Sequence, residues 1–85
     1  MDYAQWFSQR LAQLRIEKGV SSRDMSLSLG QSESYINKIE NRRTLPSMAG
    51  FFSICEYFGI QPQEFFDPAL DSPAKVNQIL SLIHI

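Results

Sequence analysis

The stretch from residue 21 to residue 43, SSRDMSLSLGQSESYINKIENRR, decides the fold of this 85-residue chain. It holds two short segments with helical spacing, separated by Gly30 and ending in two arginines. Ser21 is a typical helix N-cap, and Asp24 follows at the spacing of a capping box. The pattern predicts a helix that begins after Ser21 and ends at Gly30, with Met25 and Leu29 on its inner face.

The residues after Gly30 predict a second short helix at a steep angle to the first. Ser32 is a candidate N-cap for a helix from about Glu33 to Asn41, in which Ile36 and Ile39 turn inward. A helix is about 10 to 12 Å across and fits a DNA major groove about 12 Å wide, provided that a second helix braces it. The segment therefore predicts a helix-turn-helix that presents its second helix to DNA.

A long N-terminal helix is predicted from Tyr3 to Lys18, with Asp2 as its cap and Gly19 as its stop. Its inward stripe is predicted to consist of Tyr3, Phe7, Leu11 and Leu14. Three more helices are predicted after the basic cluster. One enters at Pro46-Ser47 and ends at Gly59, and a short one opens at Pro62.

The last predicted helix begins at Ser72-Pro73 and carries an apolar stripe that must be buried on this domain or on a second copy. The stripe consists of Val76, Ile79, Leu80 and Ile83. With no convincing β alternation, the chain is predicted to be all-α. Residues 1–67 are predicted to form the DNA-binding domain, and residues 68–85 are predicted to form a helical extension that is a possible dimerisation element.

The charge of the chain is distributed unevenly. The net charge is -1, but residues 10 to 43 hold seven of the eight Lys and Arg residues and four of the nine Asp and Glu residues. In isolation, cations at the end of a helix are simply favoured by its dipole. Together with the turn they favour contact with phosphate, while the acidic C-terminal half faces solvent or a partner.

Several other classes of protein find no support in the sequence. No apolar run approaches the roughly 20 residues that span a bilayer, and the N-terminus does not resemble a signal peptide, so we expect a cytoplasmic protein without a membrane partner. Cys55 is a single cysteine, which fits a reducing compartment. With no metal-ligand cluster and no glycine-rich phosphate loop, we expect no enzyme, no cofactor and no small-molecule ligand.

The order GVSSRDMSLSLGQSESYINKIENRRTLPS, followed by FGIQPQEFFD, resembles the lambda-repressor-like, XRE-type helix-turn-helix family of bacterial and phage regulators. The resemblance covers roughly residues 9 to 67 and implies a five-helix bundle, to which the C-terminal helix is added. It implies that the helix from Glu33 to Asn41 lies in the major groove. The implied base-reading residues are Glu33, Ser34 and Lys38. Residues implied to contact the DNA backbone or groove wall are Ser22, Ser32, Tyr35, Asn37, Asn41, Arg42 and Arg43. Arg15 and Glu40 match a structural ion pair.

Two residues depart from the pattern of that family. Glu33 is acidic where Gln or Arg is frequent, and a carboxylate beside phosphates needs a hydrogen-bond donor, for which the N4 amine of cytosine is the natural candidate. Arg42 replaces a common glycine and adds a cation where phosphates are expected.

The sequence thus predicts a sequence-specific regulator of transcription that binds double-stranded DNA as a homodimer, on two half-sites of a palindromic operator about 34 Å apart. Its possible dimer surface comprises Phe52, Phe65, Phe66, Val76, Ile79, Leu80 and Ile83. The alternative is a protein-interaction module or antitoxin-like adaptor that keeps the fold with weak or no DNA binding. The overall acidity and Glu33 favour that alternative.

Overall fold

Five α-helices make up the part of the chain that the structure, a computed structural model, describes: residues 2–67. The helices are α1 (Tyr3–Lys18), α2 (Ser22–Ser28), α3 (Tyr35–Glu40), α4 (Met48–Phe58) and α5 (Pro62–Phe65). Every regular element within residues 2–67 is an α-helix, which confirms the all-α prediction. The predicted sixth helix, with Val76, Ile79, Leu80 and Ile83, lies outside the described residues.

The longer helices begin at the predicted caps. The side chains of Asp2, Ser21 and Ser47 each accept a hydrogen bond from the backbone N–H three residues later, at 3.0 to 3.1 Å. Each bond satisfies one of the amides that the first turn of a helix leaves without an intrahelical partner. The short polar side chains at these positions therefore place the starts of α1, α2 and α4.

Gly30 makes the sharp turn between α2 and α3. Its φ is 74°, in the left-handed region that side chains with a Cβ rarely adopt. The next amide, Gln31 N–H, donates to the carbonyl of Ser26 at 3.0 Å and closes the end of α2. The turn lets α3 pack back on α2.

The hydrophobic core takes side chains from all five helices. Its buried members are Phe7, Leu11, Met25, Ile36, Ile39, Phe51, Ile54, Cys55 and Phe65. At its centre the ring of Phe65 lies 4.9 Å from that of Phe7 and 5.1 Å from that of Phe51, measured between centroids. Burying aromatic rings of this size is a main source of stability in a small domain.

Two predicted apolar positions are corrected by the structure. Tyr3 does not extend the inward stripe of α1, because it is the first residue of that helix and 76% of its surface is exposed. Phe65 is fully buried between α1 and α4, so it belongs to the core and not to a dimer surface. Its neighbour Phe66 is half-exposed, and its ring packs against the edge of the core, 5.3 Å from the ring of Phe51 between centroids.

Arg10 has a structural position that the sequence analysis missed. Only 4% of its surface is exposed, and its guanidinium donates to the carbonyls of Phe65 at 2.6 Å and Glu64 at 2.9 Å. These bonds fasten α5 to α1. The prediction that counted Arg10 among the cations facing phosphate is therefore wrong, because its guanidinium is buried and bound to backbone carbonyls.

None of the helices within residues 2–67 is both long enough and apolar enough to cross a membrane.

Candidate nucleic-acid interface

The start of α3 is held by a side chain from α2. The hydroxyl of Ser26 is fully buried, accepts the backbone N–H of Ile36 at 2.9 Å and donates to the carbonyl of Ser22 at 2.7 Å. A buried amide without a partner is costly, so this bond fixes where α3 can begin. It links the two helices of the motif through one hydroxyl.

This contact corrects the predicted N-terminus of the second motif helix. The helix begins at Tyr35 instead of Glu33, and Ser32 is not its cap. Ser34 occupies the N-cap position and makes no side-chain cap hydrogen bond. Because Ser26 already satisfies an amide of the first turn, the preceding residues need not be helical, and Glu33 and Ser34 lie in the turn that leads into α3.

The end of α3 is held by α1. The predicted ion pair is present, with Arg15 Nε 2.6 Å and Arg15 Nη2 3.1 Å from the two carboxylate oxygens of Glu40. The hydrogen bond to Glu40 raises the pKa of Arg15. Ser8 on α1 donates to the carbonyl of Ile39 at 2.8 Å. With Ser26 at one end and these contacts at the other, α3 is a fixed element.

The outward side of α3 is polar. Asn37 and Lys38 are exposed on the helix, Ser34 lies at its N-cap and Asn41 at its C-cap. Their spacing places them opposite the two buried isoleucines of the same helix. The side-chain amide of Asn41 donates to Asn37 Oδ1 at 2.8 Å, which orders both side chains. The structure therefore brings four of the predicted contact residues to one side of α3.

Glu33 is bound by a residue that the sequence analysis did not select. Its Oε2 atom accepts a hydrogen bond from Arg23 Nε at 3.1 Å, across the turn between α2 and α3. Both side chains are exposed. Helical spacing could not reveal this pair, because its partners are ten residues apart on different sides of a turn.

Tyr35 packs between α3 and α4. Its ring is half-buried against the core, and its hydroxyl lies 2.7 Å from where a Cβ on Gly50 would stand. Burial raises the pKa of the Tyr35 phenol. Of the predicted backbone contacts on the α2 side, Ser22 is half-buried as the first residue of α2, and Ser32 is exposed in the turn.

Arg42 takes the backbone conformation of a glycine. Its φ is 61°, its N–H bonds to the carbonyl of Ile39 at 3.0 Å, and Arg43 N–H bonds to the carbonyl of Lys38 at 2.9 Å. Gly19 and the glycine after α4 end their helices in the same way. The loop thus keeps the shape that a glycine at position 42 would give it, although the left-handed conformation costs a residue with a Cβ about 1 kcal/mol.

Three exposed cations surround the end of α3: Lys38, Arg42 and Arg43. Within residues 2–67 none of them is paired with a carboxylate. The predicted basic surface is therefore smaller than the sequence indicated, because Arg10 and Arg15 turn inward. Its remaining charge is concentrated at the C-terminal end of α3.

An apolar hollow lies next to Phe66. It is lined by Tyr3, Ala4, Trp6, Phe7, Leu45 and Phe66. The rings of Trp6 and Phe66 stack with centroids 5.6 Å apart and planes 17° apart. Phe52, on α4, is also half-exposed. These side chains give the described part of the chain an exposed apolar surface beside its core.

Other chemistry has little support among the described residues. They contain no group of three or more His, Cys, Asp or Glu side chains able to hold a metal ion. Cys55 is buried in the core, and burial raises the pKa of its thiol, which keeps it in the unreactive protonated form.

Comparisons with known proteins agree with the geometry. Residues 8–69 match the family model described as a helix-turn-helix domain. The chain is similar to an uncharacterised HTH-type transcriptional regulator, y4dJ, of Sinorhizobium fredii, with 25% identity over 73 residues that cover 86% of this chain and 95% of that protein. No solved structure matches the chain significantly.

Proposed function

Because the chain belongs to the XRE-like helix-turn-helix domain family, we propose that it is a sequence-specific regulator of transcription that binds double-stranded DNA. In this proposal α3 enters the major groove and its outward side reads base edges. The contacts that fix both ends of α3 support it, because a recognition element held in place loses little conformational freedom on binding.

The proposed contacts are those that the sequence indicated, and they come from the start of α2, the turn, α3 and the loop after it. Base edges are read by Glu33, Ser34 and Lys38. The DNA backbone or groove wall is contacted by Ser22, Ser32, Tyr35, Asn37, Asn41, Arg42 and Arg43. Phosphate contacts position the protein and base contacts give its sequence preference.

The conformation of Arg42 is the observation that carries the proposal. A glycine would take φ 61° without strain, yet this chain places a charged side chain there, beside Arg43 and at the end of the polar side of α3. Residues held in strained backbone conformations cluster at functional sites, where a contact offsets the free-energy cost of the strain. Phosphate is the ligand that an exposed guanidinium at the edge of a groove would meet.

We propose further that the protein acts as a homodimer. Phe52 and Phe66 are exposed, and Phe66 also lines the apolar hollow beside Trp6. Binding to two half-sites about 34 Å apart would give a domain of this size the affinity that a single α3 cannot supply. Sedimentation of the purified protein should give a dimeric mass, and Phe66→Ser should shift it toward the monomer. A monomeric mass at high concentration would exclude this form.

The DNA proposal is tested by selecting bound sequences from a random duplex library, followed by binding titrations of two variants. Lys38→Ala should change the preferred base at one position, while Arg43→Ala should weaken all sequences about equally. Lys18→Ala is the matched control, because Lys18 is an exposed cation that lies over the ring of Tyr57 on another part of the surface. It should leave both affinity and preference unchanged.

The salt dependence of binding separates this proposal from the second candidate, a protein-interaction module. That candidate is favoured by the apolar hollow, because a partner that covered it would gain free energy from burying apolar surface, roughly 25 cal/mol per Å². The affinity for DNA should fall steeply between about 50 and 200 mM salt. Log K should decrease linearly with the logarithm of the salt concentration, with a slope roughly proportional to the number of phosphates neutralised. A library that yields no enriched sequence, together with a salt-insensitive protein complex, would favour the second candidate.

A further inference from the structure

Arg23 is an exposed cation that links α2 to the turn before α3. It is the second residue of α2, and its Nε donates to Glu33 Oε2 at 3.1 Å in the turn before α3. Each of the two side chains is 66% exposed. The bond therefore lies at the protein surface, beside the turn that leads into α3, and not in the interior of the fold.

The pair removes a physical difficulty from the proposed interface. A free carboxylate at Glu33 would be repelled by the phosphates on both sides of a major groove. In the unbound protein such an exposed ion pair contributes little to stability. At a DNA surface water is displaced, the local dielectric falls, and the same pair becomes stronger. The environment in which Arg23 matters is thus the complex.

The geometry of the bond leaves the carboxylate able to read a base. Arg23 binds Oε2, and a carboxylate has a second oxygen, Oε1, with its own lone pairs. A guanidinium has further N–H donors besides Nε, in a planar fork that suits phosphate oxygens. One side chain can therefore orient Glu33 and contact the DNA backbone.

We propose that Arg23 is a specificity-determining positioning residue: it holds Glu33 through Oε2 so that Oε1 accepts a hydrogen bond from the N4 amine of a cytosine. This inference rests on the proposed DNA-binding function. It assigns to Arg23 a role that acts through Glu33, and it accounts for an acidic residue at the entrance to α3.

The experiment is a double-mutant cycle read out as base preference. Wild type, Arg23→Ala, Glu33→Gln and the double variant are titrated against the selected duplex and against duplexes with each other base pair at the position read by Glu33. Wild type should prefer cytosine there by about tenfold, the usual discrimination of one good base contact. Arg23→Ala should lose most of that preference, and in the Glu33→Gln background the same change should have no further effect on it.

Two further variants distinguish a positioning role of Arg23 from a purely structural role. Arg23→Lys should restore part of the preference, because an ammonium can still bind the carboxylate without the fork of a guanidinium. Lys18→Ala should leave the preference unchanged. All variants should unfold at the same denaturant concentration as wild type, since the pair is exposed and its loss leaves no buried group without a partner.

Each outcome decides one statement. A uniform loss of affinity on all duplexes in Arg23→Ala, additive with Glu33→Gln, makes Arg23 a plain phosphate contact and overturns the inference alone. Preference for another base at that position overturns the role of the cytosine amine. A library in which wild type enriches no sequence overturns the proposed function, and the inference with it.

Discussion

The two arginine–glutamate pairs of this protein use the same chemical groups in opposite surroundings. Arg15 and Glu40 share two hydrogen bonds, the shorter 2.6 Å, and their side chains are 19% and 16% exposed. Arg23 and Glu33 share one bond of 3.1 Å and are 66% exposed. The first pair joins α1 to the end of α3, and the second spans the turn before α3.

The difference in burial decides how much each pair contributes to the stability of the fold. A pair that has lost most of its water depends on its partner, because removal of one member leaves the other poorly solvated. A pair in water gains little from its partner and gives up little when it breaks. Under the proposed function, the exposed pair beside the start of α3 is better explained by a contact in the complex with DNA than by the free energy of folding.

The largest expected effect on stability comes from breaking the inner pair, Arg15 and Glu40, as opposed to the outer pair, Arg23 and Glu33. Arg15→Ala should lower the free energy of unfolding by about 2–3 kcal/mol, because it removes the bonds to Glu40 and the bond from Arg15 Nη1 to the carbonyl of Val20. Glu40→Ala should have a similar effect. Urea denaturation measures both, with Arg23→Ala as the matched control. If all three variants lose the same small amount, burial does not separate the two pairs.

The next effect concerns the other end of α3. Ser26→Ala should lower the free energy of unfolding by about 1 kcal/mol, because it leaves the buried N–H of Ile36 without the hydroxyl that accepts it. Ser28→Ala, at an exposed position of the same helix, is the control and should change little. Equal stabilities for the two variants would mean that the start of α3 does not depend on α2.

The helix ends were the most predictable part of the fold, because caps act over three or four residues. Asp2, Ser21 and Ser47 were placed correctly from local chemistry alone. The side chain that accepts an amide of the first turn of α3 could not be found in this way, because it is Ser26 on another helix, while Ser34 at the N-cap makes no such bond. The predicted residue, Ser32, has a hydroxyl suited to an N-cap, but it lies two residues before the N-cap position of α3.

The candidate site was predicted less completely, because the direction of a charged side chain depends on tertiary contacts. Arg10 was counted with the basic surface, but it binds carbonyls of α5 in the interior. Arg23 was counted as a charge and not as the partner of Glu33. The resemblance to a known family supplied Arg15 and Glu40, whose contact no local pattern reveals.

A third effect, of opposite sign, is expected at the outer surface. Arg42→Gly should raise the free energy of unfolding by about 0.5 kcal/mol, because the relief of a left-handed arginine exceeds the extra freedom that glycine gives the unfolded chain. The same variant should bind DNA more weakly, with a slope of log K against log salt shallower by about 0.9. Calorimetric unfolding and titrations at several salt concentrations measure the two effects. A variant that loses both stability and affinity would show that Arg42 is structural.

The smallest expected effect completes the comparison of the pairs in the absence of DNA. A double-mutant cycle on Arg23 and Glu33 should give a coupling energy below about 0.5 kcal/mol that disappears at 1 M salt, where charges more than about 3 Å apart in solvent are screened. The cycle on Arg15 and Glu40 should give a larger coupling that persists at that salt concentration, since buried pairs are screened much less. The two cycles use identical substitutions, so the side chains removed are the same and only the surroundings differ. A salt-resistant coupling between Arg23 and Glu33 would mean that the outer pair already holds the turn in the free protein, and base preference would then have to be explained by that turn.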